Sequence, residues 1–147
     1  MDIYTDGACH NNGQSDARGA WAYYVPSASI ERSGRLPQGE FGTPTNQKAE
    51  LYAILQALQY ARDIPAMVCI YSDSDYSIKC VTQWIGGWKR NGWRTAKGEP
   101  VKNQALIRAI DHEMSVAVGI RVFKHVAGHS GVTGNEVCDR LCQRVLF

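Results

Sequence analysis

The stretch MVCIYSD (67–73) is apolar at nearly every position until its closing Ser-Asp. A run of that kind suits a strand buried on both faces, which needs elements packed above and below it. The flanking sequence supplies them. In TNQKAELYAILQALQYAR (45–62), Leu51, Ile54, Leu55 and Leu58 fall at i, i+3, i+4 and i+7 and form one apolar stripe. Thr45 or Asn46 can cap this helix, and Pro44 stands just before it. Upstream, DIYTDG alternates and then meets glycine, which predicts a strand ending at Asp6. ACHNNGQSDARG is turn chemistry, AWAYYVPS and SIERSGRL predict two further strands of a meander, and GEFGTP is a loop. Downstream, SDYSIKCVTQW predicts a short helix and PVKNQALIRAIDHEMS a longer one. GIRVFKHV predicts the last strand and TGNEVCDRLCQRVL a final helix. Three strands followed by alternating helices and strands give an α/β (α+β mixed) fold, a mixed sheet flanked by helices.

The chain has 147 residues, suited to one domain with one core. Its net charge is only +2, so a nucleic-acid partner has to be argued from local clustering. WIGGWKRNGWRTAKG (84–98) is such a cluster: three tryptophans among Lys89, Arg90, Arg94 and Lys97, with no acid. The five cysteines are odd in number and contain no CxxC pair. Cys138 and Cys142 lie four apart with no histidine pair to complete a zinc set. All five are expected to be reduced thiols in a reducing compartment, which points to a cytoplasmic protein, with the nucleoid or nucleus also open. No apolar run approaches the roughly 18 residues of a membrane span. MDIYTDG has neither the basic nor the apolar region of a signal peptide, so none is expected.

Four acids stand out by position. Asp6 closes the first predicted strand, Asp73 closes the apolar strand, Glu50 lies in the first turns of the strong helix, and Asp139 lies early in the last helix. Each belongs to an apolar segment, and a half-buried carboxylate is costly unless paired or bound to a cation. Several together repel and raise one another's pKa unless metal ions neutralise them. Carboxylate oxygens without thiolates favour Mg²⁺ or Mn²⁺ over zinc. Two such ions roughly 4 Å apart can clamp a phosphodiester, one activating water and the other steadying the leaving oxygen. The alternative is four solvated surface acids, with Asp6-Gly7 a plain turn.

YTDGAC, TNQKAEL, YSDSDY and HVAGHSGVTGNEVCDRL occur in this order and resemble the four signature segments of type 1 ribonuclease H. TQWIGGWKRNGWRTAKGEPVKN, between the third and fourth, resembles the basic protrusion of that family, here about residues 84–102. The resemblance spans nearly the whole chain. It implies a ribonuclease H-like fold, a five-stranded mixed sheet flanked by helices. It also implies metal-dependent endonucleolytic cleavage of the RNA strand of RNA/DNA hybrids, leaving 5′-phosphate and 3′-hydroxyl ends. The implied cofactor is two Mg²⁺ ions, with Mn²⁺ as substitute. The implied partner is the hybrid itself, with no obligate protein partner, no membrane, and a monomeric chain.

The family's acidic quartet falls on Asp6, Glu50, Asp73 and Asp139, and its mobile histidine on His129 of GHSG. His125 reads as structural, and His10 and His112 have no motif behind them. The resemblance assigns minor-groove and 2′-hydroxyl contacts to Gly7, Cys9, Asn12, Asn46 and Gln47. It assigns the DNA phosphate pocket to Thr45 and Asn103. Amide side chains can both donate and accept, as a 2′-hydroxyl requires. Asn12 as a turn residue and Asn46 as a helix cap remain the alternatives. Lys89, Arg90, Arg94 and Lys97 would hold the DNA backbone electrostatically. Trp84 would lie along the deoxyribose groove, with Trp88 and Trp93 at least as suited to packing. Asp75 stands where many family members carry a glutamine, and an ionised acid cannot donate. Two other readings stay open: another nuclease of the same fold, and a non-catalytic hybrid-binding module.

Overall fold

A computed structural model of the chain describes residues 1–37, 39–128 and 133–147. Five strands form one sheet in the order β3-β2-β1-β4-β5. They are β1 (Asp2–His10), β2 (Arg18–Val25), β3 (Ile30–Arg35), β4 (Val68–Ser72) and β5 (Arg121–His125). β1, β2 and β3 pair antiparallel, whereas β1–β4 and β4–β5 are parallel. The sheet is therefore mixed, as the pattern predicts. β1 does not end at Asp6. It runs on to His10, because Gly7, Ala8, Cys9 and His10 keep their pairing with Trp21, Ala20, Gly19 and Arg18. A glycine inside a strand often marks close approach of another backbone rather than a turn.

Gly7 shows that approach. A Cβ on it would lie 2.3–2.5 Å from backbone atoms of Ala49 and Glu50 in α1 (Asn46–Ala61). The strand and the helix touch main chain to main chain, and Glu50 is held over Gly7. Thr45 caps α1, its hydroxyl accepting from the Lys48 N–H at 3.1 Å. At the other end Arg121 caps it from β5, donating to the carbonyls of Ala61 (2.6 Å), Ile64 (3.0 Å) and Ala66 (3.1 Å). The buried guanidinium thus ties the last carbonyl of α1 to two carbonyls of the turn that follows it.

Successive side chains of a strand face opposite ways. Ile3, Tyr23, Val25, Val68 and Ile70 join Leu51, Ile54 and Leu58 of α1 and Leu106, Ile107 and Ile110 of α4 (Gln104–Val116) in the larger core. On the other face Ala20 and Ala22 meet Cys138, Leu141, Cys142 and Leu146 of α5 (Thr133–Leu146). The predicted short helix after Asp73 is longer than its pattern suggests. α2 (Asp75–Lys79) passes through one π-helical turn at Cys80–Trp84 into α3 (Ile85–Arg90), so the first part of the basic stretch is helical.

Candidate active site

β1 and β4 are parallel neighbours, so Asp6 within β1 and Asp73 just past β4 come to the same end of the sheet. The close packing of α1 on Gly7 brings Glu50 there too. Ligand oxygens of Asp6, Glu50 and Asp73 all lie within 4.8 Å of one another. Glu50 is fixed on both sides: Oε1 accepts from the Gly7 N–H at 3.1 Å and Oε2 from the Ser72 hydroxyl at 3.4 Å. The Ser72 oxygen in turn accepts from the Ser74 N–H at 3.0 Å. Ser72 is fully buried, and the motif YSDSDY does not by itself separate its role from that of Ser74.

Burial pushes the Asp6 carboxyl up to about 7, with the charges of Asp73 and Asp139 adding to it and hydrogen bonds from Glu50 and Gly7 opposing. Glu50 is raised well above the ordinary range by burial first, then by Asp6 and Asp73. Three carboxylates this close resist ionising together. The donor set is oxygen only, and a divalent cation is the partner that lets such a set ionise. The residues thus fit the metal that the sequence pattern implies. Behind Asp6, Cys142 points its thiol at the Asp6 carbonyl (3.6 Å) and Cys138 at the Tyr4 carbonyl (3.2 Å). Burial raises both thiols, so they remain neutral behind the acids. All five cysteines are free.

Asp139 lies on α5, half-buried, and its charge reaches Asp6, but the described cluster within 4.8 Å comprises the other three acids. His125 ends β5 with Nε2 3.1 Å from the Asp73 carbonyl oxygen. His129 lies outside the described residues. The chain leading to it passes the site closely, since a Cβ on Gly128 would sit 3.0 Å from Asp73 Oδ2. Asp75 opens α2 and pairs with Lys79 at 2.7 Å, which lowers its carboxyl from the ordinary value.

The remaining predicted contacts adjoin the start of α1. Asn12 is not a bare turn residue: its Oδ1 accepts from the Asn46 N–H at 2.6 Å and so caps the helix from outside. Cys9 is half-buried and its thiol faces the His10 carbonyl. Thr45 and Asn103 line one cavity of about 400 Å³, shared with Phe41, Lys48 and Lys102. Gln47 reaches the Asn103 amide at 3.5 Å, and Tyr76 reaches it at 3.0 Å. Tyr76 was not singled out by the sequence, where it reads as an ordinary residue of a short helix. In the protrusion Trp88 and Trp93 pack against the larger core, whereas Trp84 is 40% exposed. Lys89 pairs with Asp111 at 3.2 Å, and Arg94 donates to the Gly98 carbonyl at 2.9 Å.

A mixed sheet of this order, with helices on both faces and carboxylates gathered where β1 and β4 end, defines the ribonuclease H-like class of α/β proteins. The family model described as RNase H matches residues 1–147, and the chain belongs to the ribonuclease H family of enzymes. It is 44% identical over 143 residues to a ribonuclease H of Acidovorax sp. (strain JS42), covering 97% of this chain and 91% of that one. It is 40% identical over 144 residues to ribonuclease H1 of Mus musculus, where it spans 48% of the longer protein. In fold it resembles the foamy viral protease-reverse transcriptase solved in complex with RNA/DNA hybrid. That match has a TM-score of 0.76 at 23% identity, covering 99% of this chain and 20% of that one.

Proposed function

We propose that the chain hydrolyses the RNA strand of RNA/DNA hybrids endonucleolytically, leaving 5′-phosphate and 3′-hydroxyl ends. The observation that carries this reading is the convergence of Asp6, Glu50 and Asp73 within 4.8 Å, with Asp6 and Glu50 raised in pKa. These three, with Asp139, would hold two Mg²⁺ ions, or Mn²⁺ in their place. When bound, the ions supply an activated water and charge stabilisation on the leaving 3′-oxygen. The protein's part is positional. Gly7 N–H and Ser72 Oγ fix the Glu50 carboxylate, and the neutral thiols of Cys138 and Cys142 keep the floor behind Asp6 free of competing charge. His129 would serve proton handling or product release.

Strand discrimination would divide across the start of α1. Gly7, Cys9, Asn12, Asn46 and Gln47 would face the RNA minor groove, where 2′-hydroxyls both donate and accept. Thr45 and Asn103 would take a DNA phosphate, with Trp84 against deoxyribose and Lys89, Arg90, Arg94 and Lys97 along the backbone beyond. The protein is proposed to act as a monomer in a reducing compartment.

Cleavage of a labelled hybrid in Mg²⁺, beside double-stranded DNA and double-stranded RNA, tests the reading, with Asp73→Asn as control. Cleavage confined to the RNA of the hybrid and lost in the variant is the expected result. Binding without cleavage in both Mg²⁺ and Mn²⁺ would overturn it.

A further inference from the structure

Asn103 immediately precedes α4 and sits in the left-handed region at φ 60°, yet its side chain makes no capping bond to that helix. An Asn in this position ordinarily spends its amide on the helix's own N–H groups. Here the amide is turned outward, across to two other elements. Its Nδ2 lies 3.0 Å from the Tyr76 hydroxyl of α2 and 3.5 Å from Gln47 Oε1 of α1. Tyr76 is half-buried and packs against the larger core, so its hydroxyl is a fixed point for that amide. Its ring meets the Trp84 indole edge to face, with centroids 6.1 Å apart.

The chemistry of the three groups fixes a direction. The Tyr76 oxygen accepts from the Asn103 Nδ2, so the amide's NH₂ edge faces it. Reversing the amide would set Oδ1 against the Gln47 Oε1 oxygen. One Nδ2 hydrogen is then committed to Tyr76. The other is directed at Gln47 over 3.5 Å, the outer limit of a useful bond, and can be transferred to a better acceptor. A phosphate oxygen is such an acceptor, and it can use only a donor.

We infer that Tyr76 is a positioning residue for the DNA strand: its hydroxyl holds the Asn103 amide with a donor toward the phosphate, while its ring backs the Trp84 indole. The inference rests on the proposed hybrid-cleaving function and on Asn103 as its phosphate contact. One side chain thereby couples the phosphate contact to the sugar contact.

Tyr76→Phe removes the hydroxyl and keeps the ring, so Trp84 retains its support and the effect isolates Asn103. Affinity for a labelled RNA/DNA hybrid is measured between about 50 and 200 mM KCl. An Asp73→Asn background keeps the substrate intact, and Tyr76→Phe, Asn103→Ala and the double variant are compared in it. Tyr76→Phe is expected to weaken binding about 3- to 10-fold, the range for one hydrogen bond. The slope of log Kd against log salt should stay parental, because a neutral amide displaces no counterion. Asn103→Ala should do the same, and the double variant should bind no more weakly than Asn103→Ala alone. In the otherwise native chain KM should rise with kcat retained. Parental affinity in Tyr76→Phe, or additive losses in the double variant, would overturn the inference. Parental affinity in Asn103→Ala would overturn the phosphate contact and the inference with it. Hybrid cleavage by the native chain would still stand as the separate test of the enzyme reading.

Discussion

Asp6 carries the cost of the site most visibly. Its carboxyl has an ordinary value of 3.8 and is raised to about 7 in the fold by burial and by its acidic neighbours. Between those values the native protein holds a proton that the unfolded chain has lost. Stability of the metal-free protein therefore falls as pH rises from about 4 to about 7, and levels off above. Glu50 acts in the same direction. Asp6→Asn removes its repulsion and its share of the pH dependence, leaving the part that burial of Glu50 causes. It is expected to leave the metal-free protein about 1–3 kcal/mol more stable at about pH 8 while abolishing cleavage. Thermal melts across pH in the presence of a chelator, beside hybrid cleavage in Mg²⁺, check both halves. A pH profile as steep in the variant as in the parent would show that Asp6 does not carry the strain. At this scale Asp6, Glu50 and Asp73 were legible, because each lies in or just past a segment whose apolar pattern is strong. Ser72 and Tyr76 were not. Their work depends on partners in other elements, Glu50 on α1 and Asn103 before α4, and no local pattern signals a hydroxyl's partner.

The elements place these residues through backbone contacts more than through side-chain choice. Gly7 is where this is sharpest. The sequence reads it as the end of a strand, since glycine after an alternating run commonly marks a turn. The structure continues β1 past it and uses the missing Cβ to seat α1. The same limit applies to the helix after Asp73. Its apolar pattern is interrupted because the π-helical turn at Cys80–Trp84 shifts the face presented to the core, and a period of 3.6 residues does not survive such a shift. By contrast α5 and the positions of β2 to β5 followed from pattern alone, because nothing local interrupts them. Gly7→Ala would place its Cβ against main chain that cannot rotate away, so α1 must move and take Glu50 with it. The expected cost is at the upper end of overpacking, about 3 kcal/mol, a fall in Tm of about 6–12 °C for a chain of this size. Cleavage should fall further than the loss of folded protein explains. A melt within about 2 °C of the parent with full activity would show that α1 is not seated as described.

Across the whole molecule the charge is nearly balanced at +2, so hybrid affinity must come from where the cations stand. The basic stretch was legible as a cluster, yet its internal commitments were not. Lys89 is neutralised by Asp111, which lies 22 residues away in sequence, on α4. Arg94 is turned back to the Gly98 carbonyl. Arg90 extends over its own helix, with Nη1 3.4 Å from where a Gly86 Cβ would stand. Lys97 is exposed. These cations should therefore contribute unequally to binding. Lys89 shares its charge with an acid at a half-exposed pair worth little to stability, so breaking the pair should leave the fold intact. Asp111→Asn frees the Lys89 ammonium for phosphate and raises the local positive potential. Hybrid affinity is expected to rise about 2- to 3-fold at low salt, with a steeper dependence of log Kd on log salt. The variant and parent should converge as salt approaches about 0.5 M and exposed charges are screened. Lys89→Ala should weaken binding less than Arg90→Ala, because the parent already spends part of the Lys89 charge on Asp111. Titrations of a labelled hybrid across salt, with the Asp73→Asn change in every protein, read all four cases. Equal losses for Lys89→Ala and Arg90→Ala, with no gain in Asp111→Asn, would mean that the ion pair opens on binding and that the protrusion acts as a uniform charge.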